Sequence, residues 1–302
     1  MKLKPEKKIT IESNKRFSDS YLWQGMRDYF DQQGVNAWVD QVPFYVTSNP
    51  HIANCYANIV IYLIRDWIKK HPEAKKAPFY LMELGTGSGR FSFYVLKKLR
   101  ELKNELGMND VKICYIMSDF TESNLKFWQE HPALQLYKQE GMVDFAIYNM
   151  ENDEPIKLVN QNITLTPENF VNPLVVFANY IFDTVSHDIF SVHNNKLHEV
   201  LLTLTTEEDN MRDGKPIILD PISIDFNENE IGTSYYSDEV FNKVINEYKD
   251  TLTNTNFLFP VSSLRAIKKL RGLTGDKLMV ISSDKGYSTL ESLDYLGHPI
   301  PW

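Results

Sequence analysis

The apolar run Phe79–Leu84 is followed at once by Gly85, Gly87 and Gly89, and then by apolar residues at helical spacing to about Leu106. That order reads as a buried strand, a turn stripped of Cβ atoms at three alternate positions, and a helix. A second unit repeats it: the apolar run Val111–Ser118 precedes a helix from about Glu122 to Glu130. Short apolar strands that alternate with helices imply an α/β fold with a mostly parallel sheet and helices on both faces, because parallel strands need crossover connections. Leu134–Tyr137, Leu174–Phe182 and Lys277–Ser283 read as further strands of that sheet.

Ahead of this core, helical spacing runs from Phe17 to Gln33, with Gly34 as the stop, and again from His51 to Lys70, opened by Pro50 and closed by Pro72. Residues 1–72 therefore read as an N-terminal helical lid segment, and residues 73–302 as the main domain. Inside that domain the texture changes. Asp188–Leu204 reads as a β-hairpin turning at Asn194–Asn195, Pro216–Phe226 as more extended chain, and Tyr236–Tyr248 as helix. Residues 185–255 are thus expected to form a β-rich insertion after the fourth strand, capping the carboxyl edge where open α/β sheets bind ligands.

Composition excludes several functions. A chain of 302 residues, 43% hydrophobic, can bury a sizeable core, and a formal net charge of -8 argues against a nucleic-acid surface. The basic run Lys2–Lys8 reads as a solvated terminus. Cys55 and Cys114 lack CxxC spacing, and no metal site stands out among the seven histidines, so neither a disulfide framework nor a metal is expected. No apolar stretch reaches the ~20 residues of a membrane span, and the start lacks an apolar signal region. A cytoplasmic location without a membrane partner is the expectation.

The glycine spacing narrows the ligand. A Walker loop needs a lysine and a hydroxyl after its last glycine, and Gly89-Arg90 supplies neither. A dinucleotide fingerprint needs its third glycine where Arg90 stands. The pattern E-x-G-x-G-x-G from Glu83 to Gly89 instead resembles motif I of the class I S-adenosylmethionine-dependent methyltransferases. S-adenosyl-L-methionine carries no phosphate but has a cationic amino group and a sulfonium, which suits an acid at the strand end. The resemblance implies a Rossmann-like class I methyltransferase fold, with Glu83, Gly85, Thr86, Gly87 and Gly89 around the cofactor.

It also implies further contacts. Asp119, with Phe120 beside it, stands where a carboxylate accepts from both ribose hydroxyls, a reading preferred over a cap for the helix that starts near Thr121. Asp144 is the corresponding candidate for the adenine amino group, with Phe145 beside the ring.

Three more segments are similar to the MidA-like methyltransferases. The stretch Val175–Phe190 resembles that family's ANEFFDALP, with Asn179, Phe182 and Asp183 as matches and Tyr180 in place of its glutamate. Phe44–Ser48 resembles its DFxTAP, which puts Thr47 near the methionine end of the cofactor, and Asp284 and Gly286 match its DYG. Asn179 is then both a cofactor contact and, with Asp183, a catalytic candidate; His187 is a third base to consider.

The implied activity is methyl transfer to a protein side chain or a small-molecule N or O nucleophile. A catalytically silent, cofactor-binding assembly module is the alternative. Class I folds end in two further strands, yet about 19 residues follow Ser283, so a further C-terminal domain or partner is expected.

Overall fold

The computed structural model describes residues 8–37, 46, 48–207, 211–212, 215–216, 221–286 and 289–294. Among these the main elements are β1 Lys8–Arg16, α1 Tyr21–Gln33, α2 Pro50–Lys70, β2 Phe79–Glu83, α3 Arg90–Glu105, β3 Ile113–Asp119, α4 Glu122–Glu130, α5 Pro132–Gln139, β4 Val143–Ile147, β5 Leu174–Asn179, β6 Asp188–His193, β7 Lys196–Glu207, β8 Ser223–Glu230, α6 Glu239–Thr251, β9 Thr255–Phe259, α7 Val261–Leu273 and β10 Leu278–Ser283. The chain divides into two compact units: residues 1–29, 185–262 and 285–302 form one, and residues 30–184 and 263–284 form the other.

The second unit holds a five-stranded sheet in the order β10-β5-β2-β3-β4. Every pairing in it is parallel, so all five strands end at one edge. Alternation along the strands divides the side chains between two buried faces. Leu81, Tyr115, Met117, Phe145 and Phe177 lie in one core with Val60, Ile61 and Ile64 of α2, Val95 and Leu99 of α3, and Trp128 of α4. Tyr80, Met82, Ile116 and Val176 on the other face are buried as well, with Tyr80 meeting Phe170 edge-on at 5.8 Å. A sheet buried on both faces needs apolar residues at every position, which is why its strands read as unbroken apolar runs.

The helices carry the expected punctuation. Asn49 caps α2 by accepting from the Ile52 amide at 3.0 Å, Pro50 occupies its first turn, and Lys69 and Lys70 face the negative end of the helix. One expected strand is absent: Leu134–Tyr137 lies inside α5. Pro132 starts that helix, the His131 ring accepts from the Ala133 amide at 3.2 Å, and the buried pair Leu134 and Tyr137 is spaced for a helix face. The strand after it is β4, nine positions later than read.

The first unit is antiparallel, in the order β1-β7-β6-β9, with β8 also paired to β7. The β6–β7 hairpin turns at Asn194 and Asn195, whose φ values of 52° and 57° are those of a turn that matches strand twist. Residues 1–72 are not wholly helical, since Lys8–Arg16 is a strand paired with β7. The alternation Ile9-Thr10-Ile11-Glu12 is the signal for it. Phe17 and Trp23 pack with Ile189, Val200, Leu202 and Leu204 in this unit's core.

Candidate active site

The carboxyl ends of β2, β3, β5 and β10 bring together the glycine turn, Asp119, Asn179 and Ser283. All three glycines of the turn have left-handed backbone, at φ 60° for Gly85, 55° for Gly87 and 76° for Gly89. A Cβ at Gly85 would stand 2.4 Å from Ile181 Cδ1, and one at Gly89 would stand 2.8 Å from Met117 Cε. Close packing behind the turn thus demands glycine at these two positions, apart from any ligand.

The turn is wired to its neighbours. Trp128 Nε1 donates to the Gly87 carbonyl at 2.9 Å, the Thr86 amide donates to the Ser118 carbonyl at 2.9 Å, and the Ser118 amide donates to Thr86 Oγ1 at 3.1 Å. Thr86 therefore ties the turn to β3.

Glu83 points inward. Its Oε2 accepts from the Ser92 hydroxyl and, at 2.7 Å, from the Tyr115 hydroxyl. Burial pushes its pKa up to about 7 against the opposing pull of the Ser92, Tyr115 and Thr86 hydrogen bonds. The acid expected to mark a cationic ligand sits beneath the turn, and its two hydroxyl partners were not legible in the sequence.

Asp119 is 5% exposed, and its carboxylate ties the glycine turn to the start of α4. Its Oδ2 accepts from the Gly87 amide at 3.0 Å and from Asn124 Nδ2 at 3.1 Å. Its Oδ1 accepts from the Thr121 amide at 3.2 Å and the Thr121 hydroxyl at 3.3 Å. These four bonds use the acceptor capacity of a carboxylate. Burial raises its pKa, and the bonds from Gly87, Asn124 and Thr121 oppose the rise. Phe120 follows at the strand end, half-buried.

Asp144 and Phe145 are not brought to this edge. Asp144 is the second residue of β4 and pairs with Ile116, three positions before the register of Asp119 with Ile147. Its Oδ1 accepts from the Phe145 and Asn160 amides, both at 2.8 Å, and its Oδ2 from the Gln161 amide at 3.1 Å. It staples the 160–161 segment. Phe145 is wholly buried against Trp128, at 6.3 Å between ring centroids. The misplacement follows from the strand read at Leu134–Tyr137: moving the strand to 143–147 leaves Tyr148 and Asn149 at the edge instead.

Asn179 closes β5 beside Ser283 of β10. Its Oδ1 accepts from the Ser283 amide at 3.0 Å and from the Tyr56 hydroxyl at 2.9 Å, and that hydroxyl lies 2.6 Å from Ser283 Oγ. A backbone N–H can only donate, so the oxygen of the amide is the atom facing Ser283. The carbonyl is thus occupied, and the atom left over is the Nδ2 donor, buried without a partner. Tyr56 of α2, stacked on Phe177 at 5.8 Å, is a partner of Asn179 that the sequence reading missed.

Tyr180 follows at φ 48°, an uncommon conformation for an aromatic residue, and Asp183 sits in the short helical turn Phe182–Thr184. Partial burial, and then the neighbouring charge of Asp284, raise the Asp183 pKa. His187 belongs to the other unit, where its ring stacks on Trp23 at 5.7 Å and its Nδ1 donates to the Val185 carbonyl at 2.6 Å. Thr47 lies outside the described residues.

A family model described as "Putative S-adenosyl-L-methionine-dependent methyltransferase" matches residues 59–260, from α2 through β9. The chain belongs to this family. S-adenosyl-L-methionine, the cofactor to which the glycine turn pointed, is the cofactor of this family. No curated protein matches the sequence.

Among solved structures, 91% of this chain is similar in fold to an uncharacterized protein from Burkholderia thailandensis, at 13% identity and a TM-score of 0.51. A member of the same superfamily from that organism, called a "likely methyl transferase" and bound to S-adenosyl-homocysteine, aligns over 79% of the chain at 12% identity and a TM-score of 0.45. The chain spans 58% of the first protein and 48% of the second. No helix among the described residues is long and apolar enough to cross a membrane.

Proposed function

We propose that this chain carries the cofactor-binding core of an active methyltransferase, transferring a methyl group to a protein side chain or a small-molecule N or O nucleophile. The observation that carries the reading is an orphaned buried donor, Asn179 Nδ2, at the same sheet edge as the left-handed glycine turn. A buried donor without a partner is costly, and an acceptor oxygen supplied by a ligand removes that cost.

The cofactor, when bound, supplies an electrophilic methyl on a sulfonium. The chain's residues then have separable tasks. The glycine turn lets backbone approach the ligand closely. Asp119 holds the ribose hydroxyls in exchange for its side-chain bonds to Thr121 and Asn124. Asn179 Nδ2 donates to an acceptor oxygen, so it orients an acceptor through a carbonyl, carboxylate or hydroxyl oxygen rather than an ammonium. Asp183, with its raised pKa, would accept the proton that a neutral nucleophile gives up. Alignment and exclusion of water at this edge account for the remaining acceleration.

The test is turnover to S-adenosylhomocysteine with peptide and small-molecule acceptors, using the wild type and Asp119→Asn. The variant should bind S-adenosyl-L-methionine at least ten-fold more weakly, since hydrogen bonds to a charged group contribute about 1.5–3 kcal/mol. Tight binding without turnover on any acceptor would mark a silent module, and unchanged affinity in Asp119→Asn would remove Asp119 from the ribose site.

A further inference from the structure

We propose that the antiparallel unit binds one divalent transition-metal ion, of the zinc class, between His193, His198 and Glu228. These residues come from three adjacent strands, β6, β7 and β8. Strand register puts them on one face: His198 is opposite Ser191 on one side and Glu230 on the other, which sets His193 and Glu228 two positions along on either neighbour. One ligand atom from each lies within 4.8 Å of the other two.

Three observations point to a cation. The imidazoles of His193 and His198 stack with centroids 3.9 Å apart and 13° between planes. The Glu228 carboxylate already reaches His193 Nε2 at 2.8 Å. His198 is 8% exposed, and its Nδ1 is buried with no hydrogen-bond partner. An imidazole with an orphaned nitrogen, one ring nitrogen of which lies within 4.8 Å of a second imidazole and a carboxylate, gains a bond by ligating a metal shared with them.

The neighbouring Glu230 is committed elsewhere, to Lys196 at 2.6 Å, which leaves Glu228 as the third ligand. Two imidazoles and a carboxylate suit zinc, nickel or cobalt rather than magnesium or calcium, which take oxygen ligands. Ligand bonds of about 2.0–2.1 Å require the stacked rings to turn so that their in-plane lone pairs converge, and leave a fourth position for water or a ligand.

The experiment is calorimetric titration of the chelator-treated full chain with ZnCl2, and, in parallel, visible spectroscopy with Co2+. His193 and Glu228 are half-exposed, so His193→Ala and Glu228→Gln test the site without emptying a core position. One Zn2+ per chain is expected, with each variant binding at least ten-fold more weakly and losing the visible absorption of tetrahedral Co2+. His71→Ala, which removes an exposed histidine paired with Glu73, should change neither. Absence of one-to-one binding, or affinity untouched by His193→Ala and Glu228→Gln, overturns the proposal. None of these readouts involves methyl transfer, so their failure leaves the proposed function standing.

Discussion

Replacing Glu83 by glutamine should make the protein's stability independent of a proton that the wild type holds. The folded carboxyl has a pKa of about 7 against an ordinary 4.5, chiefly through burial. Between those values the folded chain binds more protons than the unfolded chain, so this group's contribution to stability falls as pH rises through the window and levels off above about 7. At 1.36 kcal/mol per pH unit the loss is about 3 kcal/mol. Glutamine is neutral throughout, and its carbonyl can accept from Ser92 and Tyr115 as the carboxylate does. Urea denaturation at pH 5 and pH 8, followed by circular dichroism, measures the difference. The wild type should lose about 2.5 kcal/mol more than Glu83→Gln on going from pH 5 to pH 8. Equal pH slopes in the two proteins would refute the reasoning, because a buried acid that ionises without cost is not held by desolvation.

Other outcomes follow from the same geometry. S-adenosyl-L-methionine carries positive charge, so its binding near pH 6.5 should expel a proton from Glu83; the calorimetric heat should vary with the ionisation enthalpy of the buffer, and should cease to do so in Glu83→Gln. Gly85→Ala forces a Cβ to 2.4 Å from Ile181 Cδ1 at φ 60° and should cost about 1–3 kcal/mol by thermal unfolding, partly restored by Ile181→Val. Tyr56→Phe removes one of the two bonds that fix the Asn179 amide; about 1 kcal/mol of stability should be lost, with a larger fall in kcat than in cofactor affinity. Asn179→Ala removes the orphaned donor and should weaken acceptor binding while leaving the Asp119 contacts with Gly87 and Thr121 intact, as a cofactor titration would show.

The order of elements from Phe79 to Glu130 was legible because each signal is local: apolar runs for strands buried on both faces, glycines for left-handed turns, and helical spacing bounded by Pro50 or Gly89. Asp119 was placed at the sheet edge for the same reason, since it ends a parallel strand. Leu134–Tyr137 misled because four apolar residues fit either a short strand or one turn of helix, and that error displaced the adenine candidate to Asp144. Lys8–Arg16 had the alternation of a strand but no partner nearby in sequence, its partner lying in β7 nearly two hundred residues on.

From local pattern the chain determines its parallel sheet, its glycine turn and hence its cofactor. Tertiary structure decides which atoms remain available. Glu83 is turned inward by Ser92 and Tyr115, the Asn179 carbonyl is taken by Tyr56 and Ser283 so that only its donor is left, and His193, His198 and Glu228 meet across three strands. Hydrogen bonds and metal-ligand geometries join residues far apart in sequence, and the spacing along a chain does not encode which lone pairs those distant partners will use.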